Sequence, residues 1–201
     1  MERLQDHILG RLLGQEYDGD EAEFTNEARK QIYLAKYLLY RHKALRINFT
    51  TYDVRRSQDS LNPNTDHCDI MVHAREDPTS RHLHPFWYAR VIDLFHVNVN
   101  RARSDGTLQV AERMDVLWVR WFGKDHTFHA GPKACRLDRI GFVTDEDDTE
   151  PFGFLDPTHV VRACHLIPAF AHGQTSDTLG PSIARHDPTT SEDWRYYYVN
   201  R

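Results

Sequence analysis

Thirteen histidines and three cysteines (Cys68, Cys135 and Cys164) are the side chains of this 201-residue sequence best suited to hold a metal or act as a nucleophile. The closest groupings are His67-Cys68, His82 with His84, His126 with His129, and Cys164-His165. A structural zinc site draws on two such pairs at short spacing, and no two of these combine in that way. An extended strand would also turn Cys164 and His165 to opposite faces. No metal or other cofactor is therefore expected. Covalent catalysis has no better support, because the sequence has no Gly-x-Ser-x-Gly elbow and Cys-His neighbours along a chain are not thereby hydrogen-bonded in space. Glycine-rich phosphate loops are absent too. Asp53, Asp59 and Asp69 are the carboxylates a magnesium-dependent nuclease would draw on, and that enzyme, or its inactive remnant, is the alternative to a binding protein.

Charge gives a more definite pattern. The chain carries 25 Lys plus Arg against 30 Asp plus Glu, a net −5 that excludes a uniformly basic surface. Its distribution is uneven. Residues 1–27 hold eight acids against two arginines, and residues 28–56 hold eight bases against Asp53 alone. Lys43, Arg46, Arg55 and Arg56 form a basic strip able to follow a phosphate backbone, with Tyr52 placed to stack on a base. The same strip can instead be neutralised by the acidic start. Farther along, Asp145, Glu146, Asp147, Asp148 and Glu150 make an acidic loop. It reads either as a solvated surface or as a steering surface for a basic peptide.

The elements that must position these groups follow from periodicity. Leu4, Ile8, Leu12 and Leu13 recur at helical spacing before Gly14. Ala28, Ile32, Ala35 and Leu39 predict a second helix after the cap-type residues Thr25 and Asn26, running to the basic cluster at Arg41–Lys43. From Leu45 the period becomes two, and Leu45, Ile47 and Phe49 predict a half-buried strand. Ser57–Asp66 reads as a loop. Further strands are expected at Asp69–Ala74, Phe86–Val99, Asp115–Phe122, Ile140–Val143 and Val160–Ile167. Alternation in the third of these puts Leu117, Val119 and Trp121 on one face and Trp118, Arg120 and Phe122 on the other.

Strands in succession without intervening helices predict a mainly β (α+β overall) protein: a small antiparallel barrel with two N-terminal helices and an irregular C-terminal tail. The expected segments are 1–44 (helical), 45–170 (the β domain) and 171–201 (an extended aromatic tail). The tail's Trp194 and Tyr196-Tyr197-Tyr198 need something to bury against, so the end either docks on the barrel or belongs to a longer protein. No apolar run approaches the roughly 18 residues of a membrane span. The opening residues lack the features of a secretory signal, and three scattered cysteines make no disulfide framework, so a reducing compartment is expected.

The order Trp87-Tyr88-Ala89-Arg90-Val91-Ile92, then Val116–Phe122 ending in Trp121-Phe122, then Ile140–Asp145, then His159–Pro168 ending in Leu166-Ile167-Pro168, resembles the bromo-adjacent homology (BAH) domain over roughly residues 45–170. The resemblance implies a nuclear chromatin interaction module, not an enzyme. Its partner would be a basic peptide such as a histone tail, with DNA a further partner. Some BAH domains bind methylated lysine in an aromatic cage, because an alkylated ammonium keeps its charge but loses its hydrogen bonds. Trp121 matches a cage wall there, Phe142 stands where readers carry tyrosine, and Asp145, Glu146, Asp147 and Asp148 complete the implied peptide site. Through Asn48–Ser60, Gly153–Pro157 and the Asp193-Trp194 to Asn200 tail, the whole chain also resembles an expanded family from mushroom-forming fungi. Some of its members are linked to transposable elements, and this second likeness implies no particular activity.

Overall fold

The computed structural model describes residues 1–15, 24–74, 84–102, 112–144, 150–185 and 188–200. Helices α1 (Glu2–Leu12) and α2 (Asn26–Arg29) come first, then β1 (Ile32–Leu34), β2 (Tyr40–Arg41), β3 (Leu45–Thr50), β4 (Arg56–Leu61) and β5 (Asp69–His73). The long strands β6 (Phe86–Arg101) and β7 (Glu112–Lys124) follow, then β8 (Arg139–Phe142), β9 (Phe152–Leu155), β10 (Val160–Ala163) and β11 (His165–Pro168). The C-terminal part adds β12 (Gln174–Thr175), β13 (Asp193–Trp194) and β14 (Tyr197–Asn200). The protein is mainly β, as its alternating patterns require.

One antiparallel sheet runs β10-β5-β6-β7-β8-β14-β11, with β1 and β2 on β6 and β9 on β7. The expected barrel is not closed by hydrogen bonds, because this path has two ends. Those ends, β10 and β11, are consecutive in the chain and meet at Cys164. β10 pairs with β5, and the Cys164 amide still donates to Asp69 O at 3.0 Å, whereas β11 turns away to pair with β14. The curl is therefore completed by one bent strand, and a seam opens beyond the bend. A cleft of about 600 Å³ lies there, between Cys68, Arg90 and Ile92 on one wall and Leu166–Pro168 on the other.

Three apolar clusters hold the layers together. Ile70, Ala89, Val91, Leu117, Val119 and Leu61 form the first, with Trp121, Leu45 and Ile47 against it. Leu4, Ile8 and Leu9 of α1 meet Ile32, Val97, Val99 and Val116 in the second. Phe122, Ile140, Phe142, Tyr88, Leu166 and Tyr197 form the third.

The second expected helix stops after one turn. Thr25 caps α2 by accepting from the Ala28 amide, but Ile32–Leu34 then pairs with Val99–Arg101 of β6. Ile32 gains a place in the second cluster through that pairing, whereas a continued helix would have carried the exposed Leu38 and Leu39. Tertiary burial overrides local periodicity here. Lys36 and Tyr37, at φ +58° and +54°, complete the break. Ser57–Leu61, expected as a loop, belongs to β4 and pairs in register with β3. The aromatic end is a strand as well: β14 sits between β8 and β11. The boundaries at 44/45 and 170/171 thus cut through one sheet, since β1, β2 and β14 all join it. Among the described residues no helix is long and apolar enough to cross a membrane.

Candidate nucleic-acid interface

β3 and β4 make a two-stranded ribbon separate from the main sheet, with no other strand laddered to either edge among the described residues. The register Arg46↔Ser60, Asn48↔Gln58, Thr50↔Arg56 places these six residues on one face. All six are exposed, and Gln58 Nε2 donates to Asn48 Oδ1 at 2.8 Å across the strands. Leu45, Ile47 and Leu61 face the first apolar cluster instead. Asp59 is also turned inward. It accepts from Arg162 Nε at 2.7 Å and from the Ala163 amide at 3.0 Å, while the Arg162 guanidinium lies 3.4 Å from the centre of the Phe49 ring. The ribbon is thus fastened through its inner face, and its one interior carboxylate is neutralised by the fastening.

The ribbon tip is a tight turn at Thr51–Arg55, in which the Thr51 amide donates to Arg55 O at 2.8 Å and the Val54 amide to Thr51 O at 2.9 Å. The Thr51 hydroxyl donates to Asp53, which also takes Arg55 Nε at 2.9 Å. Val54 holds φ +62° while 82% exposed, an uncommon conformation for a β-branched side chain that stores strain at the tip. Tyr52 beside it is fully exposed.

The structure therefore gathers Arg46, Arg55 and Arg56 on one projecting hairpin, with exposed Lys43 just before it. Arg55 is paired with Asp53. Lys43, Arg46 and Arg56 face no carboxylate partner among the described residues. Of the acidic start, Asp6 and Glu2 pair with Arg29, and farther along the chain Asp93 pairs with Arg41.

Other arginines that look alike in sequence have a different fate. Arg90 and Arg120 sit directly opposite each other on β6 and β7. Arg90 makes a two-pronged pair with Asp69 at 2.8 and 3.0 Å. Burial works against its charge, but the Asp69 carboxylate outweighs that and holds the guanidinium protonated well above its usual range. Arg120 is 2% exposed, stacks 3.6 Å over the Phe142 ring and donates Nη1 to Asp193 at 3.0 Å, while its Nε and Nη2 have no hydrogen-bond partner among the described residues. Burial pulls its pKa down against the pull of Asp193, and nearby Arg185 and Arg90 add to the fall. Arg185 shares the same Asp193 at 2.8 Å, so two cations divide one carboxylate.

Trp121 and Phe142, the two described residues of the site implied by the BAH resemblance, do not converge. Phe142 is buried in the third cluster, stacked on Phe122 at 4.2 Å between ring centres. Trp121 lies on the opposite face of β7, against the first cluster and edge-on to Trp87. A Cβ at Gly153 would come 2.8 Å from the Trp121 indole nitrogen, so the indole is seated where only a glycine leaves room. The two rings wall no common cage. Asp145, Glu146, Asp147 and Asp148 lie outside the described residues, while Glu150 at the end of that loop pairs with Arg3 of α1.

Nor do Asp53, Asp59 and Asp69 meet: each is held by its own arginine. Cys68 is buried, and burial first, then Asp69, pushes its thiol up to about 12, which keeps it protonated and poorly nucleophilic. The one set of donors close enough to share an ion, among the described residues, is His42, His96 and Asp115. No local spacing could have signalled it, since its members come from three strand regions. Comparison with known proteins adds no relative: no family model, curated protein or solved structure matches the chain.

Proposed function

We propose that this protein is a nucleic-acid-binding module that lays the β3–β4 ribbon into the major groove of duplex DNA. The observation carrying the proposal is the ribbon's outer face: Arg46, Asn48, Thr50, Arg56, Gln58 and Ser60, all exposed and in register, with Arg46 and Arg56 facing no carboxylate among the described residues. These side-chain types divide the labour of DNA recognition. Arginine reaches phosphate or guanine edges, Asn and Gln match adenine, and Ser and Thr accept or donate to either. Dimensions agree too. Two strands about 4.8 Å apart, with their side chains, suit a groove about 12 Å wide, and six residues span about 20 Å along it. Tyr52 at the tip supplies a stacking surface. The nuclear location expected from the resemblance accompanies this reading.

Fluorescence anisotropy with labelled duplex DNA tests it, with a histone-type basic peptide and single-stranded DNA as competing probes. The combined variant Arg46→Ala/Arg56→Ala should cost about 1–3 kcal/mol per arginine in duplex affinity, and Arg136→Ala on another surface should cost little. Equal binding by the double variant would refute the ribbon as the contact surface. Tight binding of the basic peptide that is indifferent to both ribbon arginines would restore the acidic loop as the better site.

A further inference from the structure

We infer that His42, His96 and Asp115 form a binding site for a zinc-type divalent transition ion. Three neighbouring strand paths bring them abreast. His96 and Asp115 are direct cross-strand partners on β6 and β7, and Tyr40 of β2 is the partner of His96 on its other side. His42 lies two residues beyond Tyr40, and its amide continues the pairing by donating to Leu94 O at 2.8 Å. Alternation therefore turns His42, His96 and Asp115 to the same face.

The distances are those of a site that needs little rearrangement. His42 Nε2 lies 2.8 Å from His96 Nδ1 and 4.0 Å from Asp115 Oδ1, and the three donor atoms lie within 4.8 Å of one another. Zinc bonds of about 2.0–2.1 Å in tetrahedral array set ligand atoms about 3.3 Å apart. The imidazole pair must open slightly and the carboxylate must close slightly, both within reach of partly exposed side chains. Supporting contacts surround the set. Tyr40 stacks on the His96 ring at 4.7 Å, and Arg113 Nη2 donates to Asp115 Oδ1 at 2.7 Å. Asp115 Oδ1, the oxygen 4.0 Å from His42, also takes Arg113 Nε at 3.2 Å, so Asp115 ligates either by sharing that oxygen's second lone pair or by turning its other oxygen to the ion. Two imidazoles and one carboxylate favour zinc, cobalt or nickel over magnesium or calcium, which prefer all-oxygen shells. Three protein ligands leave a coordination position for water.

The test is titration of the whole chain with zinc by calorimetry, together with the visible spectrum of the cobalt(II) form. One equivalent of zinc should bind, magnesium should not compete, and cobalt should show the intense visible bands of a low-coordinate site. His96→Ala and Asp115→Asn should each weaken zinc at least about tenfold, since loss of even an outer partner costs about 10–100-fold. His165→Ala/Cys135→Ser, which removes exposed donors elsewhere, should change nothing. Circular dichroism establishes that the variants fold. Zinc binding that is absent, or equally strong in His96→Ala and Asp115→Asn, would overturn the assignment and leave the histidines as a stacked, hydrogen-bonded pair.

Discussion

Arg46 and Arg56 on the ribbon and Arg90 and Arg120 in the main sheet are the same residue type on antiparallel strands, yet they stand in opposite electrostatic states. On the ribbon the arginines face water, with no carboxylate against them among the described residues. In the sheet, Arg90 and Arg120 oppose each other directly against Phe122, Phe142 and Tyr197, Arg120 buried and Arg90 half-buried at the cleft, and depend on Asp69 and Asp193. A like-charged pair withdrawn from water is poorly screened and requires counter-charges, whereas exposed cations are free to exchange counterions for phosphate. The contrast ties one arginine pair to architecture and leaves the other available for the proposed contact with phosphate.

The largest effect should come from removing the counter-charge inside. Asp193→Asn leaves Arg120 and Arg185 without a full anion and should cost about 3–5 kcal/mol in urea unfolding. Arg120→Met removes the surplus cation together with its unpartnered N–H groups and should cost much less, because an apolar side chain of similar length suits the ring-lined site. The comparison breaks if Arg120→Met proves the more damaging of the two.

The buried His7 makes stability answer to pH. His7 on α1 is held neutral, its pKa lowered to about 3 chiefly by burial and secondarily by Arg11. Its unfolded value is near 6.5, so the unfolded chain binds the proton more readily. The His7 contribution is intact above pH 6.5 and is lost as pH falls toward 3. Between pH 7 and pH 5 the loss should be about 2 kcal/mol, measured as a shift of the urea midpoint that His7→Leu diminishes.

Smallest is the effect at the tip. Val54→Gly relieves a left-handed β-branched residue, offset by greater freedom in the unfolded chain, and should change stability by no more than about 1 kcal/mol. Thermal unfolding measures it. A large loss would show that Val54 packs rather than protrudes.

Much of this contrast is legible in the residues and some is not. Counting charges singles out Lys43, Arg46, Arg55 and Arg56, and alternation places Leu45, Ile47 and Phe49 on the inner face of β3. Alternation also assigns Trp121 and Phe122 to opposite faces of β7, as the structure has them. The partner strand β4 is hidden because Ser57-Gln58-Asp59-Ser60 has little β-propensity. It forms because β3 offers a ladder and Arg162, 103 residues away, fixes Asp59. Long-range pairing also hides Ile32–Leu34, which a helical period claims, and the His42, His96 and Asp115 set. Phe142 reads as a cage wall for the same reason: its burial depends on Tyr197, supplied by a terminal segment whose sequence reads as a tail.

The salt dependence of duplex DNA binding tests the central claim most directly. With the ribbon arginines against phosphate, log K should fall linearly with log salt, and Arg46→Ala/Arg56→Ala should lower the slope by about 1.8, roughly 0.9 for each phosphate that is no longer neutralised. A flat dependence, or a slope unchanged by the double variant, would contradict the account.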